Sequence, residues 1–318
     1  MLVDNFNRKI DYIRVSVTKN CNFRCQYCMP NTPDYIKEDL IPLDKMLNFL
    51  KITMDFGVKK IRITGGEPLL RRDLPSFIAG IYSYKDDVEV ALTTNGYLLK
   101  QYAKDLKNAG LKRINISLDS LKKEKIIKIS KKDALESILS GIEEAKQCNF
   151  KVKLNMVPLK NINDDEILDM LDFAIANNYT LRYIEFMENQ FANDSLIGYR
   201  SNEILDIIGK KYKFQEVQGN NFGPAKNYEL IDNNVIFGVI APHGDSFCSS
   251  CNRIRLTSDG VICPCLYFED AVNAREAIEN DDKEAMKQAL FNAIYNKPEK
   301  NRWQENIKSN RAFYYTGG

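Results

Sequence analysis

The chain has 318 residues, of which 44% are hydrophobic and 28% charged, with a formal net charge of +2. Charge this close to neutral excludes a general pull toward nucleic acid or anionic membrane, and no apolar run approaches the length of a membrane span. The opening MLVDNFNRKI carries no signal-peptide core, so a cytoplasmic protein is expected.

In chain order, DYIRVSV predicts a strand and PLDKMLNFLKITMDFG a helix ended by Gly57. KKIRIT is the next strand, followed by the helix DLPSFIAGIYSY, with Asp73 placed to cap its first turn. VEVALTT, LLKQYAKDLKNAG, LKRINISL, ALESILSGIEEAKQC and FKVKLNMV continue the alternation of strand and helix. NDDEILDMLDFAIANN then predicts a helix with Asn163, Asp164 and Asp165 at its positive end, and LRYIEFM a sixth strand. Repeated βαβ units predict a parallel sheet with right-handed connections, closing at least partly into a barrel with reactive groups at the carboxyl ends of its strands.

From about residue 200 the pattern changes. The helix EILDIIGKKY is followed by short runs (KFQEV, NYELI, NVIFGVI, RIRLTS and VICPCLY) and the late helix EAMKQALFNAIYNK. These predict a small mixed or antiparallel region, and the end SNRAFYYTGG shows no regular pattern. The expected fold class is α/β, a partial (β/α)6 TIM-like barrel over residues 1–200 with a mixed α+β extension over 201–318.

The eight cysteines are unevenly placed. Cys21, Cys25 and Cys28 form a C-x3-C-x2-C run directly after the first strand. Three thiolates hold three irons of a [4Fe–4S] cubane and leave the fourth open to a small molecule. A zinc knuckle wants a fourth ligand, commonly from paired C-x2-C units, and none lies nearby. Cys248, Cys251, Cys263 and Cys265 lie within eighteen residues, a spacing that also admits a four-cysteine zinc site. Arg253 and Arg255 are two apart on a predicted strand and so point to one side. They suit a ligand rich in carbonyl or phosphate acceptors, although alone they read as solvated surface charges. Cys148 reads as a small packed residue, and His243, the chain's one histidine, as a loop residue.

The first run resembles the signature of the radical S-adenosylmethionine superfamily. With GVKKIRITGGEPLLRRDL, LTTNGYLL, RINISLDSL, FCSSCNRIRLTSDG and the terminal Gly317-Gly318, the chain resembles the GTP 3′,8-cyclase family of molybdenum cofactor biosynthesis along nearly its whole length. The resemblance implies a radical SAM barrel whose extension carries a second cluster. Its two [4Fe–4S] clusters would be held by Cys21, Cys25 and Cys28 and by Cys248, Cys251 and Cys265. S-adenosyl-L-methionine would meet Tyr27, Gly65, Gly66, Glu67, Ser117 and Met187. GTP would meet Arg14, Lys60, Arg62, Thr93, Lys153, Arg182, Arg253 and Arg255, with Gly317 and Gly318 reaching into the site. The resemblance further implies that a 5′-deoxyadenosyl radical takes the 3′ hydrogen of GTP and that the ribose carbon then attacks C8. It implies as partners an electron donor such as flavodoxin or ferredoxin and a cyclic pyranopterin monophosphate synthase that takes the product. No nucleic acid or membrane partner is implied, and a homodimer is left open.

Bland readings stand beside these. GGEP reads as a plain strand-to-helix turn and a terminal glycine pair as a frayed end. Each barrel cation taken singly reads as a surface charge. Cys263 departs from the family pattern as an extra cysteine that would compete for the second cluster or close it. The run KISKKDAL departs from the glycine- and arginine-bearing one common there. The alternatives in function are a radical enzyme that modifies peptides through an auxiliary cluster and a non-catalytic zinc-binding protein.

Overall fold

The computed structural model describes residues 1–33, 35–217, 223–244, 246–301, 309 and 311–317. Its strands are β1 (Tyr12–Ser16), β2 (Lys60–Thr64), β3 (Glu89–Thr94), β4 (Arg113–Ser117), β5 (Lys151–Met156), β6 (Thr180–Ile184), β7 (Phe214–Glu216), β8 (Lys226–Leu230), β9 (Ile236–Ile240), β10 (Arg253–Leu256), β11 (Val261–Cys263) and β12 (Val272–Asn273). Its helices are α1 (Leu43–Asp55), α2 (Leu74–Tyr84), α3 (Leu99–Asn108), α4 (Lys123–Ser130), α5 (Leu135–Gln147), α6 (Ile167–Ala176), α7 (Ser201–Gly209), α8 (Ser246–Ser249), α9 (Arg275–Glu279), α10 (Lys283–Tyr295) and α11 (Phe313–Thr316).

The six expected barrel strands pair in parallel in chain order, β1 through β6. The mixed extension is present, and two of its strands join the barrel sheet. β10 pairs parallel to β1 and β9 parallel to β6, so the parallel run reads β10-β1-β2-β3-β4-β5-β6-β9. Antiparallel strands β11 and β12 continue one edge, and β8 and β7 the other. Alternation in RIRLTS and NVIFGVI predicts strands but carries no record of which neighbour each will find.

Each barrel strand alternates between two environments. Ile13, Val15, Ile61, Ile63, Ile114, Ile116 and Leu154 are fully buried in the hydrophobic core that packs the helices against the sheet. The residues between them (Tyr12, Arg14, Arg62, Thr64, Ser117 and Asn155) line a cavity inside the barrel. A barrel of this kind is usually filled by branched aliphatic side chains. Here polar and cationic residues replace them, and that leaves room for a ligand.

Local expectations fail at Asp73 and in the tail. Asp73 precedes α2 but makes no side-chain cap. Its carboxylate instead takes Arg71 Nε and Nη2 at 2.9 and 2.7 Å, because a guanidinium fork outbids a single amide. The divergent run KISKKDAL spans the last turn of α4 and the link to α5, and the end of α4 meets the first cysteine loop through Arg24 N–H to Ser130 carbonyl at 2.8 Å and Gln26 N–H to Ile129 carbonyl at 3.0 Å. The patternless tail contains the short helix α11.

The loop after β2 is sewn to the segment before Cys21. Gly66 N–H donates to the Thr18 carbonyl at 2.8 Å and Glu67 N–H to the Asn20 carbonyl at 2.7 Å. A Cβ on Gly66 would stand 2.2 Å from the Asn20 oxygen, and backbone on both sides cannot give way. The Glu67 side chain lies beneath this loop, wholly buried, accepting from Leu69 N–H at 3.0 Å, Thr94 Oγ1 at 2.7 Å and Asn95 N–H at 2.7 Å. Burial pushes its carboxyl up to about 7 against the pull of those donors.

Two outcomes follow for stability. Gly66→Ala should lose about 1–3 kcal/mol through overpacking, read as a lower urea midpoint. A carboxyl raised on folding binds its proton more tightly in the native state, so stability grows as pH falls through the native value toward the unfolded one. Wild type should therefore gain on Glu67→Gln, by up to about 3 kcal/mol, between pH 8 and pH 4.5, in paired urea titrations.

Candidate functional site

The cavity opens among the first cysteine loop, the β2–α2 loop, the carboxyl ends of the barrel strands and the tail. Cys21, Cys25 and Cys28 all line it, as do Gly65, Gly66, Tyr27, Ser117 and Met187. All are therefore brought together, with Glu67 set just beneath. Cys21 Sγ accepts Phe23 N–H at 3.4 Å and Asn95 Nδ2 at 3.8 Å. Burial pushes the thiols of Cys21 and Cys28 up to about 12 and that of Cys25 well up. Three part-buried thiols that resist ionisation are suited to a cationic iron–sulfur core, whose charge supports them as thiolates. The Tyr27 hydroxyl donates to Asp119 Oδ2 at 2.7 Å, while Asp119 Oδ1 takes Val157 N–H at 2.9 Å. Burial raises the Asp119 carboxyl to about 6.

The cations occupy one side of the sheet. Arg255, Arg14 and Arg62 are register partners on β10, β1 and β2, and Arg253 is opposite Tyr12 one pleat earlier. Arg182, from β6, donates through Nη2 to Asn115 Oδ1 at 2.8 Å. Arg14, Arg62, Thr93, Arg182, Arg253 and Arg255 line the cavity. Lys60 and Lys153 do not line it. Lys60 pairs with Glu89 at 3.5 Å, and Lys153 is pushed down to about 8 by burial and by Arg182, Arg113, Lys60 and Arg62. Burial and cationic neighbours also lower Arg182 to about 9 and Arg255 to about 10. Burial opposes ionisation of the Tyr12 phenol, yet Arg62, Arg14, Lys60 and Arg253 outweigh it and bring it to about 8. Buried Arg62 Nε, Arg182 Nε, Thr93 Oγ1 and Asn155 Oδ1 have no protein hydrogen-bond partner. Of these, Arg62 Nε, Arg182 Nε and the Thr93 hydroxyl can donate, and beside clustered arginines they fit a polyanion.

The second cysteine run flanks this cavity. Phe247, Arg253 and Leu266, each a near neighbour of one of its cysteines, form part of the wall. Arg253 lies over the Phe247 ring at 4.8 Å. Burial would raise the Cys251 thiol, but Arg253 and Lys297 bring it down to about 6, whereas burial raises Cys248. Cys263 is fully buried, and Arg311 Nη1 donates to its sulfur at 2.8 Å. This gives the extra thiol a protein partner of its own. His243 is clamped between carboxylates, with Nδ1 2.9 Å from Glu185 Oε2 and Nε2 3.0 Å from Glu188 Oε2. Cys148 is half-buried against the core.

Gly317 is buried at the site, with φ +69°, and a Cβ there would stand 2.1 Å from Thr64 Cγ2. Its carbonyl accepts from Arg255 Nη1 at 3.0 Å. Phe313 and Tyr314 line the cavity. Gly318 lies outside the described residues. Sequence reasoning missed Tyr12, Asn115, Asp119, Asn155 and the two tail aromatics. For Tyr12, Asn115 and Asn155 the signal was present: each shares strand parity with a cation or serine already singled out.

The chain is similar in sequence and fold to known proteins. Residues 15–174 match the family model of the Radical SAM superfamily, and residues 179–303 that of Molybdenum Cofactor Synthesis C. The chain is 58% identical to a GTP 3′,8-cyclase of Helicobacter pylori and 51% identical to one of Campylobacter jejuni, over the full length of each pair. Among solved structures it resembles Streptococcus suis SuiB bound to S-adenosylmethionine (TM-score 0.67, 17% identity, 92% of this chain and 67% of that one). It also resembles anSMEcpe with bound AdoMet (TM-score 0.63, 14% identity, 96% and 88%). Those two likenesses concern the fold alone. Full-length identity at this level, with both family models matched in sequence, shows that the chain belongs to the GTP 3′,8-cyclase family of the radical SAM superfamily.

Proposed function

We propose that this chain converts GTP to (8S)-3′,8-cyclo-7,8-dihydroguanosine 5′-triphosphate, the first step of molybdenum cofactor biosynthesis. One observation carries the reading: buried arginines from separate parallel strands converge, with orphaned donors, in a cavity that also holds a cysteine trio. A peptide offers such a cluster of cations less negative charge than a triphosphate does.

Cys21, Cys25 and Cys28 would hold one [4Fe–4S] cluster, and Cys248, Cys251 and Cys265 a second. When bound, the first supplies the electron that splits S-adenosylmethionine, so that a carbon-centred radical is available to take the 3′ hydrogen of GTP. The chain's own part is to bind, orient and exclude water. Gly65, Gly66, Ser117 and Met187 would border the S-adenosylmethionine, with Glu67 stiffening the loop from below. Tyr27, its hydroxyl tied to Asp119, has its ring fixed toward the same space. Arg14, Arg62 and Arg182 would take the triphosphate, with Lys60 and Lys153 adding charge from behind and Thr93 donating its free hydroxyl. Arg253 and Arg255 would meet the substrate nearest the second trio. Gly317 would close the pocket, with Arg255 gripping its carbonyl. In this reading the protein works in the cytoplasm, draws electrons from a carrier such as flavodoxin or ferredoxin, and passes its product to a cyclic pyranopterin monophosphate synthase.

The test is anaerobic incubation with GTP, S-adenosylmethionine and reductant. Formation of 5′-deoxyadenosine should depend on GTP, and formation indifferent to GTP would sink the assignment. Arg182→Met removes a charge-assisted contact of about 1.5–3 kcal/mol, so KM for GTP should rise roughly 10- to 100-fold. An unchanged KM would remove Arg182 from the triphosphate site. Cys263→Ser should keep about eight irons per reconstituted chain, whereas Cys265→Ser should fall to about four. Equal loss in both would make Cys263 a ligand.

A further inference from the structure

The cysteines of the second trio come from separate stretches: α8 and its exit for Cys248 and Cys251, and the run after β11 for Cys265. Lys297, just beyond α10, is 3% exposed. Its ammonium donates to the Arg253 carbonyl at 2.9 Å and to the Pro264 carbonyl at 2.7 Å. Arg253 follows Cys251 by two residues, and Pro264 immediately precedes Cys265. One side chain thus joins the backbones beside two of the three thiols.

The third is reached by its neighbours. Arg8 Nη1 donates to the Cys248 carbonyl at 2.9 Å and to the Glu299 carbonyl at 2.8 Å, and Nη2 to the Pro298 carbonyl at 2.6 Å. Asn301 Nδ2 approaches Cys248 Sγ at 3.3 Å. The short stretch from Lys297 to Asn301 therefore touches every part of the chain that carries a cysteine of the trio. Arg8 has a counter-ion in Asp4 at 2.6 Å. The Lys297 ammonium instead meets neutral carbonyls. A buried cation held this way is costly unless negative charge lies close by. A cubane on three thiolates carries net negative charge and supplies it.

We propose that Lys297 is the positioning residue of the second cysteine trio: its ammonium sets the separation of the Cys251 and Cys265 backbones and offsets the charge of the cluster bound there. The proposal rests on reading that trio as a cluster site. A positive charge beside a cluster favours its reduced form, because reduction adds negative charge. Lys297 thereby holds the second cluster's potential up, independently of its part in packing.

The experiment compares wild type, Lys297→Met and Lys297→Arg, full-length and reconstituted anaerobically. Iron and sulfide per chain, electron paramagnetic resonance of each cluster and midpoint potentials are read. Lys297→Met should keep the first cluster and either lose the second, with iron falling by about half, or hold it at a more negative potential. Lys297→Arg should retain both clusters, with a potential nearer wild type. Full second-cluster content at an unshifted potential in Lys297→Met overturns the proposal. Loss of both clusters together with an early thermal melt also overturns it, since Lys297 would then be a fold anchor only. If wild type itself binds a single cluster, the reading of the second trio fails, and that result is distinct from the other two.

Discussion

Arg255, Arg14 and Arg62 stand side by side on three neighbouring strands whose spacing is about 4.8 Å. Arg182 faces them from β6, and Arg113 from β4 adds to the same field. Like charges at such separations repel by a few kcal/mol per pair even at an effective dielectric near 20. The sheet tolerates this because its other face is apolar: Ile13, Val15, Ile61, Ile63, Ile254 and Leu256 are wholly buried and fix the backbone irrespective of the interior charge. Glu89 relieves part of the repulsion at one end, where it pairs with Lys60 and Arg113. The remainder suits an anion, which the proposed triphosphate substrate would supply.

The tail belongs to the same scheme. Tyr315 donates to Asp259 at 2.9 Å, Asp259 pairs with Lys19 at 2.8 Å, and the Lys19 ammonium lies 4.6 Å from the centre of the Tyr315 ring. Lys19 is in the segment leading to Cys21, and Asp259 is in the turn between β10 and β11. Arg311 fastens the start of α11 to Cys263 and to the carbonyls of Phe268 and Asp270. The tail is therefore bound to the surroundings of both cysteine trios before its glycine meets Arg255.

The six βα units were legible because strand and helix periodicities differ and turn residues separate them. Cation convergence was legible only through resemblance, since each arginine alone looks like a surface residue. Strand parity would have revealed the interior face without it: Lys60 and Arg62, Arg113 and Asn115, Lys153 and Asn155 alternate with aliphatics that form the core. The partners of β9 and β10 were not legible, because local pattern says nothing about which distant edge a strand will join. Nor were the surroundings of Cys263. Spacing made it a candidate ligand, and only the structure shows the arginine 48 residues downstream that donates to its sulfur.

The placement of β10 beside β1 has a bearing on how the chain is made. During synthesis β1 emerges among the first residues, yet its outer neighbour follows about 240 residues later, as does the bond from the Tyr12 amide to Asn252. At ordinary translation rates of 5–20 residues per second, that interval lasts roughly 12 to 48 seconds. For that time a nascent half-barrel presents an unpaired edge, with its cationic interior open to solvent. A chain released before residue 256 would keep that edge bare and be a ready target for strand-to-strand aggregation or for a chaperone.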